Sequence, residues 1–147
     1  MRFRSIVDTE TGEILSLGDS SERVREILGE PDFILTSGIT ETYHFYESPP
    51  TDKIGAHWPN PYLSLSFPLD IDYGLMTIHI GPDNERFELQ MTIDDVRNEF
   101  EAFSSSGYIR SYDRNSNLVT NFEVDPAYSI SVSIQSERIF MITKMLW

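Results

Sequence analysis

Apolar and polar residues alternate along four stretches of the chain, the pattern of β-strands that bury one face and expose the other. The alternation is strict over residues 62–67 and 128–134, and it recurs over 40–46 and 75–80. Turn-forming residues separate these stretches. We therefore expect antiparallel strands that each present one apolar and one polar side.

The two sides of these strands differ in composition. The covered face is expected to carry the large apolar side chains, which are Tyr43, Phe45, Leu63, Leu65, Phe67, Met76, Ile78, Ile80, Ile130, Val132 and Ile134. The open face is expected to carry small polar residues with scattered Tyr and His, which are Thr42, His44, Tyr46, Tyr62, Ser64, Ser66, Thr77, His79, Ser129, Ser131 and Ser133. This open face suits a hydrated protein interface better than an enclosed cofactor pocket.

Two segments predict amphipathic helices. The first follows a cap at Asp19 or Ser20, carries apolar residues at positions i, i+3 and i+4, and ends at Gly29 before a proline. The second begins at Thr92, with Asp95 in the capping-box position.

The order of elements occurs twice. Sliding the chain by 72 positions places Leu17 on Leu89 and Ser20 on Thr92. In each half a capped helix precedes a strand, a loop, an alternating strand, a tight turn and a final strand. An internal repeat explains this order, although any helix followed by a meander gives part of the likeness.

We therefore predict a single domain, 1–147, of the α+β class. An N-terminal hairpin over 1–17 precedes two helix-plus-antiparallel-meander repeats at approximately 17–80 and 89–145. The two meanders are expected to form one curved antiparallel sheet with the helices on one face.

The chain is strongly acidic. It has 11 Lys and Arg against 24 Asp and Glu, a formal net charge of −13. Residues 1–74 hold 5 basic and 13 acidic residues, and residues 75–147 hold 6 and 11, so both halves are negative. Such a field repels nucleic acid and anionic membranes and speeds encounters with basic partners. The alternative is that the charge only keeps the protein in solution.

Cysteine usage and hydropathy restrict the compartment. The chain has no cysteine, which excludes disulfides, thiolate metal sites and a cysteine nucleophile. It has no run of 18 apolar residues, and its N-terminal segment lacks the apolar stretch of a signal peptide. We therefore expect a cytoplasmic protein that does not bind a membrane.

The first half resembles a repeat known from two groups of bacterial proteins. Residues 17–32 read Leu-Gly-Asp-Ser-Ser-Glu-Arg-Val-Arg-Glu-Ile-Leu-Gly-Glu-Pro-Asp, and strand segments follow at 42–45 and 63–67. This is similar to the capped helix ending in Leu-Gly-x-Pro, with its antiparallel meander, of SmpA/OmlA-type outer-membrane assembly lipoproteins and of β-lactamase-inhibitor proteins. The likeness covers 17–80 and, more weakly, 89–145, where the Leu-Gly-x-Pro ending is missing.

A similar stretch occurs in bacterial proteins that resemble immunity proteins of polymorphic toxin systems. The lipoproteins carry a lipidated cysteine and the secreted inhibitors carry disulfides, whereas this chain has no cysteine. The departure favours the immunity type. The resemblance implies binding and carries over no catalytic residue.

No set of residues converges on a catalytic site, since nucleophile-elbow and phosphate-loop spacings are absent. His44 and His79 could share a metal if their strands are neighbours, or they are half-exposed sheet residues. Asp70 and Asp72 flank one residue and face solvent more often than they act as an acid and a base. Residues 113–117 match part of a calcium loop but lack its Gly and Glu, as expected for a polar turn. We predict no enzyme activity, no cofactor and no metal.

The long segment 47–61 holds four of the eight prolines. His57 and Trp58 lie between these prolines, so a large aromatic side chain stands on a stiffened backbone. Tryptophan is a preferred interface anchor. The alternative is that Trp58 packs into the core.

These patterns predict an immunity-type protein that binds and neutralises a bacterial toxin, with a basic nuclease as the kind of toxin that the charge favours. The alternative is a non-inhibitory protein-binding or assembly module. The predicted partner-binding residues are Tyr46, His57, Trp58, Tyr62, Asp70, Asp72, His44 and His79. No catalytic residue is predicted.

Overall fold

A computed structural model describes most of the chain. The described residues are 4–47, 60–69, 73–81, 84–90, 92, 94–95, 108–112, 118–125, 130–135 and 138–144. In chain order their elements are β1 (Ser5–Asp8), β2 (Ile14–Ser16), α1 (Ser21–Leu28), β3 (Phe33–Ser37), β4 (Thr40–Phe45), β5 (Leu63–Pro68), β6 (Thr77–Ile80), β7 (Phe87–Leu89), β8 (Tyr108–Tyr112), β9 (Leu118–Asp125), β10 (Ile130–Gln135) and β11 (Arg138–Lys144).

The described strands form two antiparallel sheets. The small sheet has three strands in the order β2-β1-β7. The large sheet has eight strands in the order β3-β4-β5-β6-β11-β10-β9-β8. Two four-stranded meanders, β3 to β6 and β8 to β11, therefore meet where β6 pairs with β11, with Ile78 opposite Ile142.

The core contains apolar side chains from both sheets. Ile6 of β1 and Leu15 of β2 belong to the same buried cluster as Leu65 and Ile78 of the large sheet. Helix α1 adds Val24, which is fully buried. The small sheet and α1 thus supply the apolar surface that the covered face of the large sheet requires.

The predicted covered face is confirmed where side chains are described. Its residues in β4, β5 and β6 are buried, as are Val132 and Ile134 of β10. Met76 is half-buried. The opposite face is less open than predicted, because its polar side chains pair with one another. Thr42 and Ser66 lie 3.0 Å apart through their hydroxyl oxygens, and Ser64 is buried.

Local capping explains where the helices begin. The Ser20 hydroxyl accepts a hydrogen bond from the backbone N–H of Arg23 at 3.1 Å, which caps α1. Gly29 ends the helix with φ of 80° and donates its N–H to the Arg25 carbonyl. At the second predicted helix, Thr92 and Asp95 form the reciprocal capping box.

The predicted α+β class with helix-plus-meander repeats is wrong. In the described part of the chain the elements are eleven strands and the short helix α1, so the protein is mostly β. The strands β3 and β7 lack the alternating pattern and are unexpected from the sequence; β3 extends the large sheet and β7 completes a second one. The repeat boundaries 17–80 and 89–145 stay a prediction, because much of the second span lies outside the described residues.

A buried ion pair holds β7 against the first hairpin. Asp8, at the end of β1, is 1% exposed and accepts hydrogen bonds from Arg86 Nε at 3.1 Å and Nη2 at 2.7 Å. It also accepts the backbone N–H of Glu10 at 3.0 Å. The Arg86 guanidinium therefore holds the pKa of the Asp8 carboxyl below its ordinary value.

We expect Arg86→Ala to lower the free energy of unfolding by about 3–5 kcal/mol, because it leaves the Asp8 carboxylate buried without its cation. Urea unfolding at neutral pH measures the loss. Arg23→Ala is the control, since the ion pair of Arg23 with Glu13 is exposed and should contribute less than about 1 kcal/mol. In the wild type, the contribution of Asp8 should be lost as the pH falls below about 4, through the lowered pKa of Asp8. Equal effects of the two substitutions would contradict this account.

Candidate protein-binding site

An open cleft of about 400 Å³ lies where the ends of several elements meet. The turn after β1, the residues after β4, the residue before β5 and the segment before β7 each contribute to it. Its lining residues are Thr9, Glu10, Tyr46, Glu47, Tyr62, Glu85 and Arg86. We call this site the tyrosine cleft.

Two predicted binding residues, Tyr46 and Tyr62, meet in the tyrosine cleft. The sheet ladder continues here, since the Tyr62 N–H donates to the Phe45 carbonyl at 3.0 Å. The Tyr46 N–H donates to Asp32 Oδ2 at 2.8 Å, which fixes the end of β4. Tyr62 stacks on Phe87 of β7, with ring centroids 6.4 Å apart and planes 10° from parallel. Phe87 thus positions the Tyr62 ring, and Asp32 positions the backbone of Tyr46.

The phenol groups in the tyrosine cleft stay neutral. Burial raises the pKa of Tyr46, and the nearby Asp32 carboxylate adds to the effect. Burial also raises the pKa of Tyr62. Each hydroxyl therefore offers both a hydrogen-bond donor and an acceptor at neutral pH.

The tyrosine cleft has an excess of carboxylates. Glu10, Glu47 and Glu85 are exposed at its rim. Among the described lining residues the one cation is Arg86, which is paired with Asp8 and lies 3.4 Å from a Glu10 carboxylate oxygen. The carboxylates of Asp8 and Glu10 therefore largely neutralise the Arg86 cation. The remaining carboxylates, those of Glu47 and Glu85, favour a positively charged ligand.

His44 and His79 lie in one row across the large sheet, with Ser64 between them. Ser64 pairs with His44 on β4 and with His79 on β6. The Ser64 hydroxyl lies 2.9 Å from His44 Nδ1, and His79 meets the edge of the Phe140 ring. The polar row is therefore a packed cross-strand contact.

Burial lowers the pKa of both histidines in this row. For His79 the cation of Arg138 and the ring of His44 add to the effect. No three His, Asp or Glu side chains come together as a metal site in the described part of the chain.

Four predicted binding residues lie outside the described residues: His57, Trp58, Asp70 and Asp72. The two interpretations of Trp58, interface anchor or core residue, therefore both stay open. The polar turn 113–117 is likewise outside the described residues. No helix in the described part of the chain is long and apolar enough to cross a membrane.

Sequence reasoning missed Glu10, Glu85 and Arg86. Glu10 is far in the sequence from the adjacent residues Glu85 and Arg86, and the three share no motif. They meet because β1 pairs with β7, with Asp8 opposite Phe87. The only local signal was Glu10 in the turn after β1, and a turn glutamate is usually no more than a solvated residue.

We expect the fold to lose stability as the pH falls through the ordinary histidine pKa of about 6.5. Since the pKa values of His44 and His79 are lowered in the folded state, the unfolded chain binds protons first. The melting temperature should therefore fall between about pH 7.5 and 5.5, and the double variant His44→Gln with His79→Gln should flatten that fall. Asp8 titrates below this range, so it does not contribute. An unchanged pH dependence in the double variant would contradict the assignment.

A scan against protein-family models, a search of curated proteins and a search of solved structures found no match to this chain. The resemblance of residues 17–80 to the lipoprotein and inhibitor repeats therefore stays a prediction. The proposed function rests on the geometry of the tyrosine cleft.

Proposed function

We propose that this protein is a binding module for a basic protein, and that a Lys or Arg side chain of the partner enters the tyrosine cleft. One observation carries the proposal: two tyrosines and three glutamates from separate elements line a single cleft. The finer proposal is that the partner is a bacterial toxin, which the module neutralises in the cytoplasm as an immunity-type protein.

The lining of the tyrosine cleft suits a long cationic side chain. The aliphatic stem of Lys or Arg packs on aromatic rings, and the cation is attracted to their faces. Glu10, Glu47 and Glu85 offer carboxylates to the charged end, and charge-assisted hydrogen bonds of this kind are the stronger ones. Tyr46 and Tyr62 are also of the type enriched at binding hot spots.

The shape of the tyrosine cleft favours a protein over a small molecule. Small-molecule sites are mostly enclosed and apolar, with few polar groups. This cleft is open, and its described lining includes four charged side chains. Such a lining is typical of the wet, polar part of a protein interface.

The charge of the whole chain supports the same class of partner. A net charge of −13 accelerates the encounter with a basic protein. Nuclease toxins need basic surfaces to hold the phosphate backbone, so an acidic binder that covers such a surface blocks substrate access. A non-inhibitory assembly partner with the same charge is the alternative.

The purified product of the neighbouring gene is the first partner to test. We expect Tyr46→Ala to weaken its binding by about 2 kcal/mol or more, roughly 30-fold in Kd, because an aromatic wall of the tyrosine cleft is lost. Tyr73→Ala is the matched control, since Tyr73 lies outside the tyrosine cleft, against Lys144. Calorimetric titration measures both affinities, and thermal melts check the fold of each variant. Equal losses would show that the tyrosine cleft is not the contact. An activity assay of the partner then separates neutralisation from assembly.

A charge comparison tests the role of the rim. The triple variant Glu10→Gln, Glu47→Gln and Glu85→Gln removes three carboxylates from the tyrosine cleft. The control variant Glu13→Gln, Glu22→Gln and Glu88→Gln removes three exposed carboxylates outside the cleft. Both triple variants change the net charge equally and should slow association to a similar degree. Only the first should speed dissociation, by about tenfold or more, because it alone removes contacts of the bound state. Stopped-flow kinetics at low and high salt measures both rates, and unchanged dissociation in the first variant would exclude the rim from the interface.

A further inference from the structure

Strand β3 is an edge strand that exposes large apolar side chains on both of its sides. Phe33 and Ile34 are each 42% exposed and Leu35 is 47% exposed. Phe33 and Leu35 stand opposite His44 and Thr42 of β4, and Ile34 stands opposite Tyr43. Natural edge strands usually carry charged residues or proline, which prevent pairing with other chains. Strand β3 carries neither, since its residues are Phe, Ile, Leu, Thr and Ser.

The apolar surface continues beyond the strand. Ile39, in the turn between β3 and β4, is 67% exposed. It accepts the backbone N–H of Leu69 at 2.8 Å, and Leu69 is 42% exposed. The exposed apolar surface therefore runs along β3 and around the end of the sheet, and contiguous apolar surface of this kind marks interaction sites.

The outer side of β3 has no strand beside it in the described part of the chain. On the inner side all five residues of β3 pair with β4 in regular register, from Phe33↔His44 to Ser37↔Thr40. An edge strand presents backbone N–H and C=O groups along its outer side. Its five residues extend over roughly 17 Å, enough for a short added strand.

The charge around β3 selects the kind of strand that can be added. From Glu26 to Glu47 the sequence contains five carboxylates and no Lys or Arg. Arg25, just before this stretch, lies 3.4 Å from the Glu30 carboxylate. A second copy of this edge would bring like charges together, whereas a strand that carries Lys or Arg is complementary.

Strand β3 is also continuous with the tyrosine cleft. Asp32, which immediately precedes β3, accepts the N–H of Tyr46 through its carboxylate. His44 connects the two regions, since its ring lies 6.1 Å from that of Phe33 and 6.2 Å from that of Tyr46. One partner can therefore contact both surfaces.

We propose that β3 accepts an extended segment of the basic partner as an additional strand of the large sheet. The segment alternates apolar residues with Lys or Arg, so that its backbone completes the ladder while its cations face the surrounding carboxylates. This inference rests on the proposed function, because it takes the partner to be basic. In addition to the tyrosine cleft, the partner would then have a second contact, made through the backbone of β3.

The probe is a synthetic peptide of about eight residues in which lysine alternates with valine, long enough to cover β3. Its comparison peptide has glutamate in place of lysine. Amide hydrogen exchange by NMR follows residues 33–37 of the full chain with each peptide. The lysine peptide should slow exchange of the outward amides by about tenfold or more, because they gain ladder hydrogen bonds, and the glutamate peptide should not. Equal protection by both peptides, or by neither, would overturn the proposal.

Two matched substitutions locate the contact. Leu35→Lys places a cation in the middle of β3 and should weaken binding of the lysine peptide by about tenfold, through repulsion and loss of an apolar contact. Ile14→Lys makes the same change at a residue that is also 47% exposed, on the edge strand β2 of the small sheet, and should alter binding less than about twofold. Equal weakening by both would mean that only net charge matters, and the proposal would be wrong.

The remaining outcomes separate this inference from the proposed function. If the lysine peptide shifts the NMR signals of Tyr46 and Tyr62 but leaves the β3 amides unprotected, the added strand is wrong while the tyrosine cleft stands. If β3 is protected and the glutamine triple variant of the tyrosine cleft binds the neighbouring gene product normally, the cleft proposal fails instead. Sedimentation of the free protein checks for a second copy, and a dimer that Leu35→Lys dissociates would show that we chose the wrong occupant.

Discussion

The buried ion pair between Asp8 and Arg86 holds the small sheet together at the edge of the tyrosine cleft. Asp8 ends β1 and Arg86 directly precedes β7, so the pair fixes the third strand of the small sheet to the first hairpin. With β7 in place, Phe87 lies in the core and provides the ring on which Tyr62 stacks. The same pair neutralises the cation in the tyrosine cleft and leaves its glutamates in excess. The architecture and the electrostatics of the site thus depend on one contact.

The sequence predicts strands well where burial is one-sided. Alternation over 62–67 and 128–134 matches β5 and β10 closely, because each second residue there is needed in the core. The three residues of β7 are too few to show a period. All five residues of β3 are exposed, so burial left no pattern in its sequence. Both unexpected segments add strands, whereas α1 is only eight residues long, so strands dominate the described structure.

The site was predictable in part. Tyr46 and Tyr62 were expected on the open face of alternating strands, which a single sequence can indicate. Glu85 and Arg86 could not be assigned, because their position depends on a pairing between segments almost 80 residues apart. Tertiary pairing of this kind leaves no local signature. The polar row of His44, Ser64 and His79 was expected to be open to a partner, but Ser64 is buried and hydrogen-bonded to His44, and both histidines are half-buried.

The position of β11 constrains how this protein acquires its structure. It is the last of the described strands in the chain, yet it lies at the centre of the large sheet, between β6 and β10. The hairpins within each meander are local and form quickly, but the joining of β6 to β11 must close a loop of some sixty residues. Before they pair, the backbone N–H and C=O groups along one edge of β6 and of β11 have no strand partner. The two halves therefore join after their local hairpins have formed, and misassembly competes with this step while they are apart.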